Sequence, residues 1–318
     1  MTRSIGTHTI GNGHPCFIVA EIGINHNGFV STAKKLVEVA AKAGANAVKF
    51  QKRTVQTVYT AEELAKPRLI PSENGILKNA VARGVLPVEA SHRLKQSAYE
   101  QTVNGDLKYA LEFTIDEYRE IASAAQTAGV LFFASPWDEA SVDFLEQLAV
   151  PCHKVASACL TDAGLLNRIK QTGKPCILST GGSTIDDINE AVGMVGGEKI
   201  ILLHAVSTYP SQDADLNLSV MRKLCTLFSD IPIGWSGHEK GILPSIIAVA
   251  LGACMVERHL TLDRRMWGSD HPASLEPDEF KEMVEGIRLV ETVRGDGIKR
   301  MLHGEMETMK KLRRNHFR

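Results

Sequence analysis

The chain has 318 residues, enough for one large α/β domain, and 44% of them are apolar. Its formal net charge of −1 at pH 7 gives no electrostatic reason to expect nucleic acid or an anionic membrane as a partner. The N-terminal apolar run is too short for a membrane span and lacks a signal-peptide layout, and the six cysteines include no CxxC pair, so we expect reduced thiols and a cytoplasmic protein.

Eight short apolar runs follow one another along the chain, and each stops at a polar residue suited to anions, metals or protons. Continuous apolar runs are typical of strands buried on both faces, and helical stretches separate most of these runs. This alternation predicts a (β/α)8 TIM barrel, in which all strand ends meet on the catalytic face. The polar residues are, in chain order, Glu21, Lys49, Ser135, Lys154 with Ser157, Ser179, His204 with Ser207, Ser236 with His238, and His259.

Helix signals lie between the runs. Thr114 and Glu117 form a capping-box pattern ahead of an amphipathic segment that ends at Gly129, which predicts one clear helix. The segment 277–293 is the longest helix candidate, and we expect it to pack outside the barrel. Further helix N-caps are predicted at Asp162, Ser183 and Asn217.

A polar stretch from residue 52 to residue 108 interrupts this alternation. It is too long for a plain barrel connection, and it leaves the end of the second strand, so it would lie over the catalytic face. Two interpretations stay open, a lid or substrate-binding excursion and a simple surface insertion. We therefore expect a single domain over residues 1–318, with this insertion and a solvated tail from about residue 295 to residue 318.

Two histidines, His238 and His259, stand directly after two consecutive predicted strands. Both imidazoles would therefore lie at the same rim of the barrel. Neutral imidazole binds divalent transition metals, and two protein ligands leave positions open for water and substrate. The pair predicts a metal site, although a histidine taken alone is usually structural.

Two lysines and several serines form a second set of strand-end residues. Lys49 and Lys154 directly end apolar runs, where a lysine seldom lacks a partner. Ammonium groups with hydroxyls suit a substrate that carries both phosphate and carboxylate. Two alternatives stay open: the serines could cap the following helices, and a barrel lysine could form a Schiff base. The serines are Ser135, Ser157, Ser179, Ser207 and Ser236.

Three more polar residues could belong to the same site. Glu21 could orient substrate hydroxyls or handle a proton, and its alternative role is a structural ion pair with Lys49. Asp270 follows His259 closely enough to reach a metal or a sugar. Tyr209 would present its hydroxyl beside the same pocket.

Seven segments, in order and at barrel spacing, resemble the sialic acid synthase family, which condenses phosphoenolpyruvate with an aldose. The resemblance implies a transferase that makes a sialic-acid-like 3-deoxy-2-keto nonulosonic acid and phosphate. Its implied substrates are phosphoenolpyruvate and N-acetylmannosamine or a related aldose, with a divalent metal as cofactor. The matching segments are residues 20–28, 48–51, 174–181, 203–210, 233–238, 256–261 and 268–277.

The resemblance also implies a role for each candidate residue. His238 and His259 match the positions that hold a divalent ion, usually Mn²⁺, with Mg²⁺ or Co²⁺ as alternatives. Glu21, Lys49 and Lys154 are the implied catalytic residues. The implied phosphoenolpyruvate site consists of Lys49, Lys154, Ser135, Ser157, Ser179, Ser207 and Ser236. The implied acceptor side consists of Glu21, Gln51, Tyr209 and Asp270.

Three features depart from the family pattern, and all of them touch the acceptor side. The family suggests a homodimer, but we expect a variant without the C-terminal antifreeze-like domain from which many relatives supply an Arg to the partner subunit. Residues 156–159 read ASAC where the family usually has a Glu after the Ser, and the insertion 52–108 is long. Two other functions therefore stay open: synthesis of another 3-deoxy-ulosonic acid from a non-acetamido aldose, and a non-catalytic sugar-binding barrel.

Overall fold

The structure is a computed structural model that describes residues 1–96 and 101–314. Four residues of the predicted insertion, 97–100, and the last four of the predicted tail, 315–318, lie outside the described residues. The described helices include none with the length and apolar character needed to cross a bilayer.

Eight parallel strands form the central sheet and confirm the predicted barrel. Every pair that is hydrogen-bonded within this sheet is parallel, and the first and last strands of the sheet, β5 (Leu131–Pro136) and β6 (His153–Val155), lie side by side and nearly close it. Most strand residues are buried, as expected for a sheet with helices outside and side chains filling its interior. The other six strands are β3 (Phe17–Gly23), β4 (Ala47–Lys52), β7 (Cys176–Ser179), β8 (Ile200–Ala205), β9 (Ile233–Gly237) and β10 (Met255–His259).

A short antiparallel hairpin, β1 (Thr2–Ile5) and β2 (His8–Gly11), precedes the barrel and was not predicted. Its residues Ile5 and Ile10 are fully buried in the main core. Arg3 donates hydrogen bonds to the carbonyls of Gly197 and Asp230, which lie shortly before two of the barrel strands. The hairpin therefore covers the amino-terminal end of the barrel, opposite the strand ends that carry the candidate site.

Helices connect the strands and form the outer layer. The capping box at Thr114 and the N-cap at Asp162 are confirmed, but the other two predicted N-caps are wrong. Thr184, not Ser183, caps its helix, because Thr184 makes the reciprocal bonds with Asp187. Asn217 has a positive φ of 41° in the turn before its helix. The helices are α1 (Val30–Lys42), α2 (Val55–Val58), α3 (Ala61–Ala65), α4 (Ile76–Arg83), α5 (Val88–Lys95), α6 (Asn104–Ala110), α7 (Ile115–Thr127), α8 (Glu139–Glu146), α9 (Ala163–Thr172), α10 (Ile185–Val195), α11 (Val220–Leu227), α12 (Leu243–Ala250), α13 (Pro277–Arg294) and α14 (His303–Leu312).

The described residues of the insertion between β4 and α7 form five short helices, α2 to α6, with a small hydrophobic core of their own. Partly buried Phe29 and Trp267, from loops after β3 and β10, pack against this second core. The insertion therefore stands beside the carboxyl ends of the strands. Its core consists of Ile70, Ile76, Leu77, Ala80, Leu86, Ala90, Leu94, Leu107, Ala110 and Leu111.

Candidate active site

A cavity of about 530 Å³ opens at the carboxyl ends of the barrel strands. It brings together twelve of the thirteen predicted site residues, and Asp270 is the exception. The Asp270 carboxylate is outside the cavity lining, with its Oδ2 3.9 Å from Nδ1 of His259. The predicted residues that line the cavity are Glu21, Lys49, Gln51, Ser135, Lys154, Ser157, Ser179, Ser207, Tyr209, Ser236, His238 and His259.

Strand register explains why these residues meet. In the sheet, His259 of β10 pairs with Glu21 of β3, and Glu21 pairs with Lys49 of β4. These three residues therefore lie in one row across neighbouring strands. Because side chains alternate along a strand, Gln51 shares the inward face with Lys49.

Two buried ammonium groups and two buried carboxylates form the floor of the cavity. Lys49 Nζ lies 2.9 Å from Glu257 Oε1 and 3.3 Å from Glu21 Oε2. Lys154 Nζ lies 3.5 Å from the same oxygen of Glu257. Glu21 and Lys49 therefore form the ion pair that was the alternative role for Glu21. Both residues also line the cavity.

These contacts move the pKa values of the four groups in different directions. Burial raises the pKa of Glu21 to about 7 against the attraction of Lys49. Burial would also raise the pKa of Glu257, but Lys154 and Lys49 outweigh it and hold the value at about 2. Burial lowers the pKa of Lys154 to about 8 in spite of Glu257. For Lys49 burial acts in the same direction, but Glu21 and Glu257 outweigh it and raise its pKa above the usual range.

The two histidines lie together at one side of the floor, with ring centroids 5.4 Å apart. His238 Nδ1 is 2.7 Å from the carbonyl oxygen of Val206, so Nδ1 carries the proton and Nε2 is free to bind a metal. Burial lowers the pKa of both His238 and His259 to about 3, which leaves both imidazoles neutral. Buried Nδ1 of His259 has no hydrogen-bond partner, and the Tyr209 ring lies 4.2 Å from that of His238.

These two histidines fit a divalent ion, because a metal takes the neutral form of imidazole. Within residues 1–96 and 101–314, no group of three or more His, Cys, Asp or Glu side chains is placed to hold a metal. A metal here would therefore have two protein ligands and would leave the remaining positions to water and substrate.

Hydroxyl groups surround the ammonium groups. Ser135 Oγ accepts from Lys49 Nζ at 3.3 Å, and Ser157 Oγ accepts from the backbone N–H of Gly181 at 3.1 Å. Ser179 Oγ is buried without a hydrogen-bond partner. Glycine at residue 181 leaves room for the Ser207 hydroxyl, because a Cβ there would collide with Ser207 Oγ. The chain thus brings an unsatisfied hydroxyl and close-approaching backbone to the same wall.

Sequence reasoning missed Glu257, the acid at the centre of the floor. Its strand position gave a usable signal, because it stands two residues before His259 and therefore points the same way. It also missed three residues of the outer wall, Trp137, Thr161 and Asp187. These lie after strand ends in loops and helix starts, where sequence periodicity says nothing about direction.

Comparison with known proteins identifies the family. The model of the NeuB family matches residues 36–104 and 85–299. The chain belongs to this family, the sialic acid synthases. Human N-acetylneuraminate-9-phosphate synthase is 38% identical over 305 residues, which cover 95% of this chain and 78% of that protein. The N,N'-diacetyllegionaminic acid synthase of Legionella pneumophila is 33% identical over 312 residues, which cover 96% and 80%.

A solved structure supports the same assignment for this NeuB family member. The crystal structure of the N-acetylneuraminic acid synthetase of Leptospira borgpetersenii, in complex with citrate, matches with a TM-score of 0.78 and 30% identity. The match covers 99% of this chain and 98% of that one. The chain is therefore an enzyme, a transferase of the phosphoenolpyruvate-condensing type, as the resemblance implied.

Proposed function

We propose that this enzyme condenses phosphoenolpyruvate with N-acetylmannosamine or a related aldose, with a divalent metal, to give a sialic-acid-like 3-deoxy-2-keto nonulosonic acid and phosphate. One observation carries the proposal: two buried ammonium groups, surrounded by hydroxyls, share a cavity with two neutral imidazoles. A trianionic donor fits the first set, and a divalent ion would fit the second.

The donor half of the cavity consists of Lys49, Lys154 and the serines around them. A phosphate and a carboxylate together need more hydrogen-bond donors than the floor of the cavity alone provides. Ser179 Oγ has no hydrogen-bond partner and is free to supply one. The backbone at Gly181 can approach an anion closely because it carries no side chain. These groups would hold the donor and stabilise charge on the departing phosphate.

The metal half of the cavity consists of His238 and His259. We propose Mn²⁺ as the ion, with Mg²⁺ or Co²⁺ as alternatives. When bound, the ion supplies Lewis acidity that polarises the aldehyde of the acceptor. The hydrogen bond from His238 to the Val206 carbonyl fixes the tautomer and orients the ring for this task.

The bond changes follow from the chemistry of the donor. C3 of phosphoenolpyruvate forms the new bond to the aldehyde carbon, and the aldehyde oxygen takes up a proton. Water then adds at C2 and loses one proton. The new C2 hydroxyl becomes the keto group as the C2–O bond to phosphate breaks, and its proton leaves with the phosphate. Glu21, whose pKa is about 7, is suited to orient or activate the water or the acceptor near neutral pH.

The acceptor side is assigned to Gln51, Tyr209 and Asp270. Gln51 Nε2 donates to Glu21 Oε1 at 2.8 Å, so the amide and the proposed proton carrier are held together. Tyr209 stands half-exposed over the two histidines, where the sugar would enter. Asp270 does not line the cavity, and its carboxylate lies 3.9 Å from Nδ1 of His259, so its part in acceptor binding stays a prediction.

An aldose panel tests this function. The enzyme is incubated with phosphoenolpyruvate, Mn²⁺ and each aldose in turn, and phosphate release is measured. We expect release that depends on N-acetylmannosamine or a related acetamido sugar. Release only with aldoses that lack the acetamido group would favour the synthesis of another 3-deoxy-ulosonic acid, and no release with any aldose would contradict the proposed reaction.

Substituting His238→Ala tests the metal site independently of turnover. We expect Mn²⁺ affinity, followed by electron paramagnetic resonance of the free ion, to fall at least about 10-fold because one of two protein ligands is lost. His303→Ala, at the exposed start of α14, is the control and should bind Mn²⁺ as the parent does. Equal Mn²⁺ affinity of both variants would show that His238 is not a metal ligand.

A further inference from the structure

One arginine outside the cavity lining contacts two residues that belong to it. Arg53 directly follows β4, is only 9% exposed, and does not line the cavity. Its Nη2 donates a hydrogen bond to Oε1 of Gln51, and its Cζ lies 4.4 Å from the centre of the Trp137 ring. Gln51 and Trp137 both line the cavity. Arg53 can therefore influence a bound substrate only through its neighbours.

The side-chain amide of Gln51 lies between two groups of opposite charge. Its Nε2 donates to Oε1 of Glu21 at 2.8 Å, and its Oε1 accepts from Arg53. A guanidinium can only donate hydrogen bonds, and an ionised carboxylate can only accept them. Turning the amide over would place its NH2 group against the guanidinium and its carbonyl against the carboxylate. The two charged neighbours therefore permit one orientation of the amide.

Arg53 is itself held in place before any substrate arrives. Its Nη1 lies 3.7 Å from Oε1 of Glu112, and its backbone N–H donates to Oε2 of the same carboxylate at 3.2 Å. The contact between the guanidinium and the Trp137 ring adds a cation–π interaction. The orientation that Arg53 gives to Gln51 is therefore preorganised, and a ligand does not have to create it.

The fixed amide provides the cavity with a hydrogen-bond donor. The NH2 group of Gln51 has two N–H bonds, and Glu21 accepts from one of them. The other N–H can donate to a ligand, because Gln51 lines the cavity. An aldose offers hydroxyl and carbonyl oxygens that accept such a bond. An inverted amide would present a carbonyl instead, and this donor would be lost.

We propose that Arg53 is a positioning residue for the acceptor aldose, because it fixes the amide of Gln51 in the orientation that donates to the sugar. This inference rests on the proposed function, in which Gln51 belongs to the acceptor side. The polar contacts of Arg53 are with Gln51, Glu112 and Lys52, and none of these belongs to the donor half of the cavity. Loss of Arg53 should therefore weaken acceptor binding and leave donor binding unchanged.

A purely structural role predicts a different pattern of effects. If Arg53 only stabilises the end of β4, its loss should also disturb Lys49 in that strand, and donor affinity should fall together with acceptor affinity. If Arg53 acts through Gln51, its loss should have little effect once Gln51 has been replaced. A double-mutant cycle on these two residues separates the roles.

The cycle uses Arg53→Met, Gln51→Ala and the double variant. We expect Arg53→Met to raise the KM for the active aldose about 10-fold, as for the loss of one hydrogen bond, with kcat within about 3-fold of the parent. Calorimetry should show phosphoenolpyruvate affinity within about 2-fold of the parent. In the Gln51→Ala background, Arg53→Met should change the KM for the aldose by less than about 2-fold.

Two milder substitutions of Arg53 and a control complete the test. Arg53→Lys keeps a cation that can only donate, so it should restore most of the acceptor affinity. Arg53→Gln has an amide that can donate or accept, does not fix Gln51, and should raise the KM as the Met variant does. Arg68→Met replaces another arginine of the insertion, with its Cζ 5.8 Å from the Trp267 ring and outside the cavity lining, and should leave the KM unchanged.

Several outcomes would overturn the inference. These are an unchanged KM for the aldose in the Met and Gln variants of Arg53, an equal rise in KM when Gln51 is already alanine, or a parallel loss of phosphoenolpyruvate affinity. Absence of aldose-dependent phosphate release by the parent enzyme would instead contradict the proposed function, and this inference with it.

Discussion

At the scale of single residues, the two buried carboxylates of the site have opposite pKa shifts. Burial dominates at Glu21 and raises its pKa to about 7, whereas at Glu257 two ammonium groups outweigh burial and hold the pKa at about 2. Neighbouring acids driven apart in this way suit different tasks, one exchanging a proton and the other staying charged. Glu21 is therefore the residue expected to control the pH dependence of the reaction.

The acid side of the pH profile tests this assignment. Because the pKa of Glu21 is raised, its carboxylate form is lost as pH falls through about 7, and kcat/KM should fall with it. Glu21→Gln should lower kcat/KM by about 100-fold and abolish this acid limb. Glu112→Gln, which alters ion pairs outside the cavity lining, should keep the limb. An unchanged acid limb in the Glu21 variant would assign it to another group.

At the scale of elements, sequence patterns predicted the barrel because buried parallel strands and capping boxes leave strong local signals. The runs that end at Glu21, Lys49 and His259 are all strands, and their ends converge as expected. The pattern of polar residues at the ends of the runs did not include Glu257, which lies inside its strand, although alternate residues of a barrel strand share the inward face. The N-terminal hairpin has four-residue strands, too short to give a periodic pattern.

The sequence predicted the insertion only as a break in the alternation of strands and helices. Its internal structure could not be predicted because it depends on contacts distant in sequence. Arg83 of α4 donates to the carbonyls of Gly28 and Ala110 and makes a double contact with Glu117 of α7. One guanidinium therefore joins the insertion to the loop after β3 and to the outer helices. Sequence periodicity carries no information on such partners.

Replacing Arg83 tests how firmly the insertion is attached. Arg83→Met removes a nearly buried cation, which takes the Arg83 donor from the carbonyls of Ala110 and Glu112 and the ion-pair partner from Glu117. We therefore expect the free energy of unfolding to fall by about 3 kcal/mol. Arg119→Met, which breaks an exposed pair with Asp116, should change it by less than about 0.5 kcal/mol. Urea unfolding of both variants measures the difference, and equal effects would show that Arg83 does not anchor the insertion.

At the scale of the whole molecule, the five described helices of the insertion stand beside the cavity and contribute no residue to its lining. None of the described residues between 53 and 111 lines the cavity. Of the two interpretations left open by the sequence, we therefore favour a docked surface layer over a lid. We predict that the insertion does not close over the cavity during turnover, and proteolysis tests this prediction.

Limited digestion with trypsin distinguishes a docked layer from a lid. With the helices held by their own core and by Arg83, cutting within 52–108 should proceed at the same rate with and without saturating phosphoenolpyruvate and Mn²⁺. The rate of cutting within 295–314 should also be the same with and without substrate, and this segment serves as the internal control. Substrate-dependent protection confined to 52–108 would show that the insertion closes over the cavity.

The condensation itself is tested most directly by the fate of the oxygen that bridges C2 and phosphorus in phosphoenolpyruvate. The donor is labelled with oxygen-18 at that position, mixed with enzyme, Mn²⁺ and the active aldose, and both products are examined by mass spectrometry. Because the C2–O bond breaks, the label should leave in phosphate, and only when aldose is present. Label retained in the keto acid, or phosphate released without aldose, would contradict the proposed reaction.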